Sequence, residues 1–181
     1  MKNANVRFNY DDYRQLPEDK RYEILDGELY MVPAPNIRHQ RVFRELFQAL
    51  LNHVQEQALG EVLSAPCDVL LSNEDVLQPD ILFVGKERLG IIGDANIPGA
   101  PDLVIEILSP ATRQRDLTIK RKIYARYGVQ EYWIVDPEAS TVEVLALHDS
   151  GYVSAGVCRE SDHLASPLLP QLDLSLREIF A

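Results

Sequence analysis

The alternation of apolar and polar positions along the chain predicts a sheet whose central strand carries an acid. The clearest strand signal is the apolar, β-branched run at 103–107, which lies between two prolines. Because side chains alternate along a strand, Leu103, Ile105 and Ile107 share one face and Glu106 lies on the other. A buried carboxylate is costly unless a cation, a hydrogen-bond network or a metal ion compensates it. The pattern therefore predicts a partner for Glu106, unless this acid lies at a solvated sheet edge.

The rest of the pattern predicts strands that alternate with a few helices. An Asp-Gly pair between two apolar runs is the strongest short-range signal for a β-hairpin. Gly60 and Gly128 are placed to end the two longer helices. In chain order we expect a helix over 10–16, a hairpin over 21–32, a helix over 37–59, strands over 62–71, 77–85 and 101–110, a helix over 112–127, a strand over 131–137, a hairpin of 141–147 and 151–157, and a short helix over 172–180.

This order of elements favours an α/β fold with a mixed central β-sheet flanked by helices. An N-terminal β-hairpin precedes the central strands and an outer C-terminal hairpin follows them. A doubly wound nucleotide-binding fold is less consistent with the sequence, because no glycine-rich phosphate loop follows any predicted strand.

Length and composition are typical of one globular domain. With 181 residues the chain can bury a core without disulfides or a structural metal, so we expect a single domain over 1–181. The two cysteines have neither metal-ligand nor disulfide-framework spacing, which favours a reducing, cytoplasmic compartment. Residues 1–5 lead into polar sequence without a signal-peptide core, and no apolar run is long enough to cross a bilayer. We therefore expect no membrane association.

The charge distribution bears on nucleic-acid binding. A formal net charge of −10 argues against a broad, nonspecific grip on nucleic acid, which requires phosphates to be neutralised. The basic residues are nevertheless clustered: one group falls within 113–126, and a second consists of Arg38, Arg41 and Arg44. These groups predict local basic patches, although charged runs on helices are often only solvated faces.

Three acids lie on or at the ends of predicted strands, namely Glu23, Asp80 and Glu106. Hard divalent cations such as Mg²⁺ bind a few carboxylate oxygens together with water and substrate phosphate. Strand-borne carboxylates side by side would supply such a site, in which the metal lowers the pKa of a bound water and offsets charge on a scissile phosphate. Asp80 also has a simpler interpretation, since an Asp beside a proline often only ends a loop.

A lysine on the following helix is placed to meet these acids. Asp116, Lys120 and Tyr124 recur at a spacing of four and form one stripe of the helix predicted over 112–127. A lysine beside a metal can orient the attacking water or stabilise the transition state. The alternative is a buried ion pair between Glu106 and Lys120 without a metal, and Tyr124 is open to interpretation as a packing residue.

Four further residues have structural interpretations. His39 falls in the first turn of the helix predicted over 37–59, where a histidine is commonly a capping or surface residue, with a role in catalysis as the alternative. Asp102 is expected to mark the entry to its strand, and participation in the metal site is the less favoured interpretation. Tyr132 and Trp133 are expected in the core rather than as platforms for stacked bases.

Several segments together carry a family resemblance that covers nearly the whole chain. The most specific is Glu131-Tyr132-Trp133-Ile134-Val135-Asp136-Pro137. The others are Tyr22-Glu23-Ile24-Leu25-Asp26-Gly27-Glu28-Leu29, His39-Gln40, Pro79-Asp80, Asp102 to Pro110, the row of Asp116, Lys120 and Tyr124, and Gly128-Val129-Gln130. In these segments the sequence resembles the Uma-two family, which belongs to the PD-(D/E)XK restriction-endonuclease-like superfamily.

The resemblance implies a restriction-endonuclease-like core with a metal site. Asp80 and Glu106 would bind Mg²⁺, for which Mn²⁺ can substitute, and Glu23 would assist as a further acid. The implied substrate is DNA. The resemblance also implies a homodimer, since cutting both strands of a duplex calls for two sites.

The sequence departs from the superfamily pattern at one position. Leu108 stands two residues after Glu106, where the superfamily has a lysine. The resemblance implies that the lysine has moved to the following helix, where Lys120 matches and Lys122 is the fallback.

These observations leave three hypotheses for function. The leading one is a Mg²⁺-dependent DNA endonuclease with Asp80 and Glu106 on the metal, Glu23 assisting and Lys120 at the attacking water. The acidic net charge and the displaced lysine favour an alternative, a catalytically weak or inactive nuclease-fold module that acts in DNA binding or protein assembly. The third is metal-dependent hydrolysis of a smaller phosphorylated substrate, for which the sequence contains no specific pocket motif.

Overall fold

The computed structural model describes residues 6–17 and 19–181. Residues 1–5, for which the sequence indicated no signal-peptide core, and Glu18 lie outside the described residues. The helices are α1 (Tyr10–Tyr13), α2 (Ile37–Glu56), α3 (Arg113–Arg115), α4 (Arg121–Arg126) and α5 (Leu176–Phe180), with a 3-10 helix at Lys86–Ile91 and a π-helical segment at Asp116–Lys120. The strands are β1 (Arg21–Leu25), β2 (Glu28–Val32), β3 (Gly60–Ser64), β4 (Val69–Ser72), β5 (Asp75–Leu77), β6 (Ile81–Gly85), β7 (Ile97–Pro98), β8 (Leu103–Ile107), β9 (Glu131–Asp136), β10 (Thr141–His148), β11 (Gly151–Arg159), β12 (His163–Leu164) and β13 (Leu174–Ser175).

The strands form a large mixed sheet, a smaller sheet that packs on one of its faces, and a separate two-stranded sheet of β12 and β13. The large sheet has the order β11-β10-β9-β8-β6-β3, and the smaller one has the order β2-β1-β5-β4-β7. In the large sheet β8 and β9 run parallel, whereas the other neighbouring strands are antiparallel. The mixed α/β fold predicted from the sequence is confirmed, including its N-terminal hairpin β1–β2 and its outer hairpin β10–β11.

Strand β8 separates the two hydrophobic cores. Leu103, Ile105 and Ile107 pack on one face of the large sheet with the apolar stripe of α2 and with α5. Val104 lies on the opposite face, where the smaller sheet and Ile123 of α4 pack. The predicted alternation along this strand is confirmed, and it directs Glu106 towards the second core.

The helix predicted over 112–127 is continuous but irregular. Its middle, Asp116–Lys120, has the wider π-helical turn, which places one extra residue in that turn. Asp116 and Lys120 are both buried there, as is Tyr124 in α4. Gly128 ends the helix, as the sequence predicted, and takes the left-handed conformation with φ +81°.

Two predicted strands are each divided at a proline. The strand predicted over 62–71 is divided into β3 and β4, which lie on either side of Pro66. The strand predicted over 77–85 is divided at Pro79 into the end of β5 and the whole of β6. The two members of each pair belong to different sheets. Proline has no N–H to donate to a strand ladder, so the chain leaves one sheet at these positions and enters the other.

The end of α2 also differs from the prediction. Gly60 does not end the helix but begins β3, while Ala58, with φ +51°, takes the left-handed position after the last turn. Gly60 is required for a different reason, because a Cβ at this position would lie 2.1 Å from the carbonyl oxygen of Val84. The C-terminal helix is likewise shorter than predicted and is confined to Leu176–Phe180.

Helix α2 is amphipathic and anchors one face of the large sheet. Its buried apolar side chains recur every four residues and meet β8 and α5, while its polar side chains other than His39 face outwards. Neither this helix of 20 residues nor another helix within 6–17 and 19–181 is long and apolar enough to cross a membrane.

The substitution Leu46→Ala tests the packing of α2. Leu46 of α2 is fully buried against the large sheet, so we expect the variant to lower the free energy of unfolding by about 2–5 kcal/mol. The matched control is Gln48→Ala on the exposed side of the same helix, which should change this free energy by less than about 0.5 kcal/mol. Urea unfolding measures both, and equal effects of the two substitutions would contradict the assigned face.

Candidate active site

An acidic cleft of about 40 Å³ lies where β1, the beginning of β6 and the end of β8 meet the first turn of α2 and the π-helical segment. The side chains at its border come from both sheets and from two helices. The residues that line it are Arg21, Glu23, Val32, Pro33, Pro35, His39, Gln78, Asp80, Glu106, Ile107, Ser109, Thr112, Asp116 and Lys120. A volume of this size admits one ion or one or two water molecules rather than an organic ligand.

The register between β6 and β8 brings two of the predicted acids together. Ile81 pairs with Ile105 and Leu82 with Val104 in an antiparallel arrangement. One residue further along, this register places Asp80 opposite Glu106. Residues that face each other in this way have Cβ atoms about 4.5–5.5 Å apart on the same side of the sheet. Asp80 and Glu106 therefore lie side by side in the cleft, as the sequence analysis expected.

Lys120 lies at the centre of three carboxylates. Its Nζ is 2.8 Å from Oε1 of Glu23, 2.9 Å from Oε1 of Glu106 and 3.4 Å from Oδ1 of Asp116. Each of these four side chains is at most 5 % exposed. Nζ donates a hydrogen bond to Glu106 and forms ion pairs with Glu23 and Asp116, so three carboxylates compensate the charge of one ammonium group. The cluster formed by these four residues, the lysine cluster, joins β1, β8 and the π-helical segment.

Neighbouring groups fix the orientation of the lysine cluster. The hydroxyl of Tyr124 donates a hydrogen bond to Oε1 of Glu106 at 2.8 Å, and the backbone N–H of Gln78 donates to Oε1 of Glu23 at 3.0 Å. The hydroxyl of Tyr132 donates to the backbone carbonyl of Asp116 at 3.0 Å. The sequence left Tyr124 open as a packing residue or a site residue. It is both, because its side chain is fully buried and its hydroxyl contacts Glu106.

The protonation equilibria of the lysine cluster reflect its excess of acids. Burial raises the pKa of Glu106 well above its ordinary value; the charge of Lys120 opposes this shift, and the neighbouring carboxylates add to it. Burial likewise raises the pKa of Asp116, again against the effect of Lys120. Burial alone would lower the pKa of Lys120, but the charges of Glu106 and Glu23 outweigh it and raise that pKa well above the ordinary value. The lysine therefore remains protonated in the folded protein.

Asp80 is held by two donors on the other side of the cleft. Its Oδ2 accepts a hydrogen bond from the backbone N–H of Ile107 at 2.8 Å and lies 3.1 Å from Nε2 of His39. His39 is buried at the start of α2, where its backbone N–H donates to the capping side chain of Asn36. His39 therefore contacts a predicted site residue, and the interpretation as a solvent-exposed surface histidine does not apply.

The donor set of the cleft fits a hard divalent cation. Within the described part of the chain, no hydrogen bond reaches Oδ1 of Asp80 or Oε2 of Glu106, and the buried atoms Nδ1 of His39 and Oδ1 of Asp116 have no hydrogen-bond partner. The four carboxylates face a single lysine. No three His, Cys, Asp or Glu side chains among residues 6–17 and 19–181 are grouped as a complete metal site. Two carboxylates completed by water and phosphate are, however, the usual way in which Mg²⁺ is bound.

Some residues suggested by the sequence do not reach the cleft. Lys122 is exposed on the outer side of α4, so the structure does not support it as a substitute for Lys120. Asp102 lies at the opposite end of β8, where its carboxylate pairs with Arg88 at 2.6 Å and accepts from the N–H of Gly85. Asp102 is thus a buried residue at the entry to its strand, as we expected from the sequence.

Three of the six basic residues within 113–126, the predicted basic patch, are paired with acids. Arg113 pairs with Asp136 at 2.7 Å, Arg126 pairs with Asp26 at 2.7 Å, and Lys120 is enclosed in the lysine cluster. These acids are distant in sequence, so the run of basic residues alone overstated the positive charge available to a ligand.

Among the polar residues that line the cleft, Arg21 and Gln78 were not predicted from the sequence as site residues. Gln78 precedes the Pro79-Asp80 segment, and Arg21 lies two residues before Glu23 on the same face of β1. The period-two alternation could have pointed to Arg21 once Glu23 was a candidate. No local signal indicated Gln78, because its partners lie in other elements.

Replacement of Lys120 by Met tests the lysine cluster. The variant would leave buried carboxylates without a counter-charge, so we expect the free energy of unfolding at pH 7 to fall by about 3–5 kcal/mol. The matched control Lys122→Met, on the exposed side of the same helical stretch, should have little effect. In the Lys120→Met background, the second substitution Glu106→Gln should restore part of the lost free energy of unfolding. Urea unfolding of the wild type, the two single variants and the double variant measures this, and purely additive effects would contradict an interaction between Lys120 and Glu106.

Comparisons with known proteins agree with this architecture. The chain matches the model of the Uma2 (Uma-two) family, described as "Putative restriction endonuclease", over residues 10–177. Among solved structures, a "putative nuclease" from Anabaena variabilis is similar, with a TM-score of 0.79, 24 % identity, and coverage of 96 % of this chain and 97 % of that one. At this identity the likeness concerns the fold. No curated protein matches at a significant level. Because the family match spans both sheets and every residue of the lysine cluster, the chain belongs to the Uma2 family.

Proposed function

We propose that the protein is a metal-dependent endonuclease that hydrolyses phosphodiester bonds of DNA. The observation that carries the proposal is the pairing of Asp80 and Glu106 across β6 and β8. In each carboxylate one oxygen is held by the protein, and the other receives no hydrogen bond from the described residues. Membership of the Uma2 family supports the same reaction class.

Asp80 and Glu106 are the residues that would hold the metal, which we propose to be Mg²⁺ with Mn²⁺ as a substitute. When bound, such an ion would supply a more acidic water and offset negative charge on the phosphate. Asp80 is oriented for this role by the N–H of Ile107 and by His39, and Glu106 is oriented by Lys120 and Tyr124. Fixed carboxylates of this kind keep the cleft negative before the substrate arrives.

Lys120 and Glu23 support the site from inside the protein. In the lysine cluster Lys120 compensates the charges of Glu23 and Glu106, which allows both acids to remain beside the cleft. Its contribution in this arrangement is electrostatic, because its N–H groups are directed at carboxylates. The orientation of the attacking water by Lys120, as expected from the sequence, stays a prediction.

The size of the cleft favours a long substrate over a small one. Pockets that enclose small ligands typically have volumes of about 300–1,000 Å³, far above that of this cleft. A phosphate of a nucleic-acid backbone can instead lie across the opening, with most of the polymer outside. We propose further that the protein acts as a homodimer, since hydrolysis of both strands of a duplex calls for two sites.

A plasmid-cleavage assay tests the proposed reaction. We expect nicking with Mg²⁺ or Mn²⁺, its loss on addition of EDTA, and a fall in rate of at least about 100-fold for Asp80→Asn and Glu106→Gln, because each removes a charged ligand. The control Glu87→Gln makes the same chemical change at an exposed position near the opposite end of the large sheet. Cleavage at an unchanged rate by Glu106→Gln, with circular dichroism showing a folded protein, would refute the assignment.

One observation favours a second candidate, a catalytically silent nuclease-fold module in DNA binding or protein assembly. The burial of Lys120 among three carboxylates is also what a purely structural ion-pair network would show.

Titration calorimetry with Mg²⁺ and Mn²⁺ separates the two candidates. For the enzyme we expect binding that is lost in Asp80→Asn, together with a rise in the unfolding temperature when the metal is in excess, because a ligand that binds only the folded state stabilises it. No heat of binding and an unchanged unfolding temperature with either metal would favour the silent module.

A further inference from the structure

An arginine at the border of the cleft has no role in the lysine cluster. Arg21 is partly buried at the start of β1 and lines the cleft on the same face of the strand as Glu23. Its Nε donates a hydrogen bond to Oε1 of Gln78 at 2.8 Å. Within residues 6–17 and 19–181 its terminal nitrogens have neither a hydrogen-bond acceptor nor an ion-pair partner. An arginine beside four carboxylates but paired with none of them requires an explanation.

Gln78 holds this arginine in a defined orientation. Nε2 of Gln78 donates to Oδ1 of Asp68 at 2.7 Å and to the hydroxyl of Tyr13 at 3.1 Å, and that hydroxyl also donates to Asp68 at 2.8 Å. Because both of these acceptors require the amide nitrogen, Oε1 of Gln78 must face Arg21. Three elements in the N-terminal half of the chain thus fix the Nε edge of the guanidinium and leave its other edge unoccupied.

Within residues 6–17 and 19–181, Arg21 forms no ion pair with the neighbouring acids, whose oxygens without a hydrogen bond on Asp80 and Glu106 are those proposed to hold the metal. Oε1 of Glu23 is occupied by Lys120 and by the N–H of Gln78, and Asp80 receives donors from Ile107 and His39. The ammonium group of Lys120 is buried, and its charge is compensated by three carboxylates. Arg21 is therefore the positively charged side chain at the cleft border that has donors without a partner among residues 6–17 and 19–181.

We propose that Arg21 binds a phosphate of the nucleic-acid backbone at the opening of the cleft, with Gln78 as the residue that positions it. This inference rests on the proposed nuclease function and specifies how a strongly acidic cleft receives an anionic polymer. A guanidinium group presents a planar pair of N–H donors that matches two oxygens of a phosphate, and the held Nε edge leaves such a pair exposed. The arginine binds substrate, and the paired carboxylates hold the metal.

The test measures DNA binding in the Glu106→Gln background, so that the substrate stays intact. Fluorescence anisotropy of a labelled duplex is recorded with Mg²⁺ over a series of salt concentrations. We expect Arg21→Ala to weaken binding about tenfold, as for loss of one charge-assisted contact. The slope of log K against log salt should also fall by about 0.9, which corresponds to one phosphate. Arg21→Lys should keep most of the salt slope but not the full affinity, because an ammonium group lacks the planar pair of donors.

Two controls keep this test specific. Lys86→Ala removes the same charge from an exposed position after the far end of β6 and should leave the affinity and the salt slope unchanged. Tyr13→Phe removes one hydroxyl that holds Gln78 without altering any charge, and it should weaken binding less than Arg21→Ala while keeping the salt slope. Thermal unfolding verifies that each variant is folded. If Arg21→Ala does not fold, the affinity of Arg21→Lys provides the test instead.

The possible results separate this inference from the proposed function. Metal-dependent cleavage by the wild type, combined with unchanged DNA affinity and salt slope in Arg21→Ala, would overturn the role of Arg21 and leave the nuclease assignment intact. Equal losses for Arg21→Ala and Lys86→Ala would overturn it as well, since only general charge would matter. Absence of both cleavage and DNA binding in the wild type would overturn the proposed function and this inference together.

Discussion

The burial of the Glu106 carboxylate on the central strand is the constraint on which the arrangement of this protein depends. One face of β8 packs in an apolar core, and the other must accommodate an acid that water does not solvate. Lys120 compensates this charge from the π-helical segment, but it also contacts Glu23 on the smaller sheet. The charge compensation of one side chain therefore fixes how the two sheets and the helix lie relative to one another.

Lys120 compensates only part of the negative charge of the neighbouring carboxylates, and the remaining charge would favour the binding of a cation. A buried lysine surrounded by several carboxylates contributes little net stability, because desolvation offsets the attraction between the charges. Burial is the main reason that the pKa values of Glu106 and Asp116 are raised, and the charges of neighbouring carboxylates add to both shifts. A divalent cation between Glu106 and Asp80 would compensate the remaining negative charge. The wider turn at 116–120 is consistent with this interpretation, since π-helical turns frequently occur at functional sites.

The border of the cleft contrasts with its floor. The floor acids are oriented by short hydrogen bonds from backbone and buried side chains, whereas Arg21 is held by one edge only. The basic residues of 113–126 do not supply the missing positive charge, because distant acids pair with several of them. The net charge of −10 thus remains compatible with a nucleic-acid substrate, provided that a few oriented donors, rather than a broad basic surface, contact its phosphates.

The sequence by itself determined the features that depend on local periodicity: the alternation in β8, the hairpin at Asp26-Gly27, and the stripe that carries Asp116, Lys120 and Tyr124. It also determined the candidate acids, because a carboxylate in an apolar strand is anomalous wherever the strand lies. Only the tertiary structure decided which atoms meet. His39 reaches Asp80 across 41 positions and Gln78 reaches Glu23 across 55. Such contacts follow from strand order and register, which a local pattern does not encode, and this is the reason that the sequence did not reveal Gln78 or the orientation of Arg21.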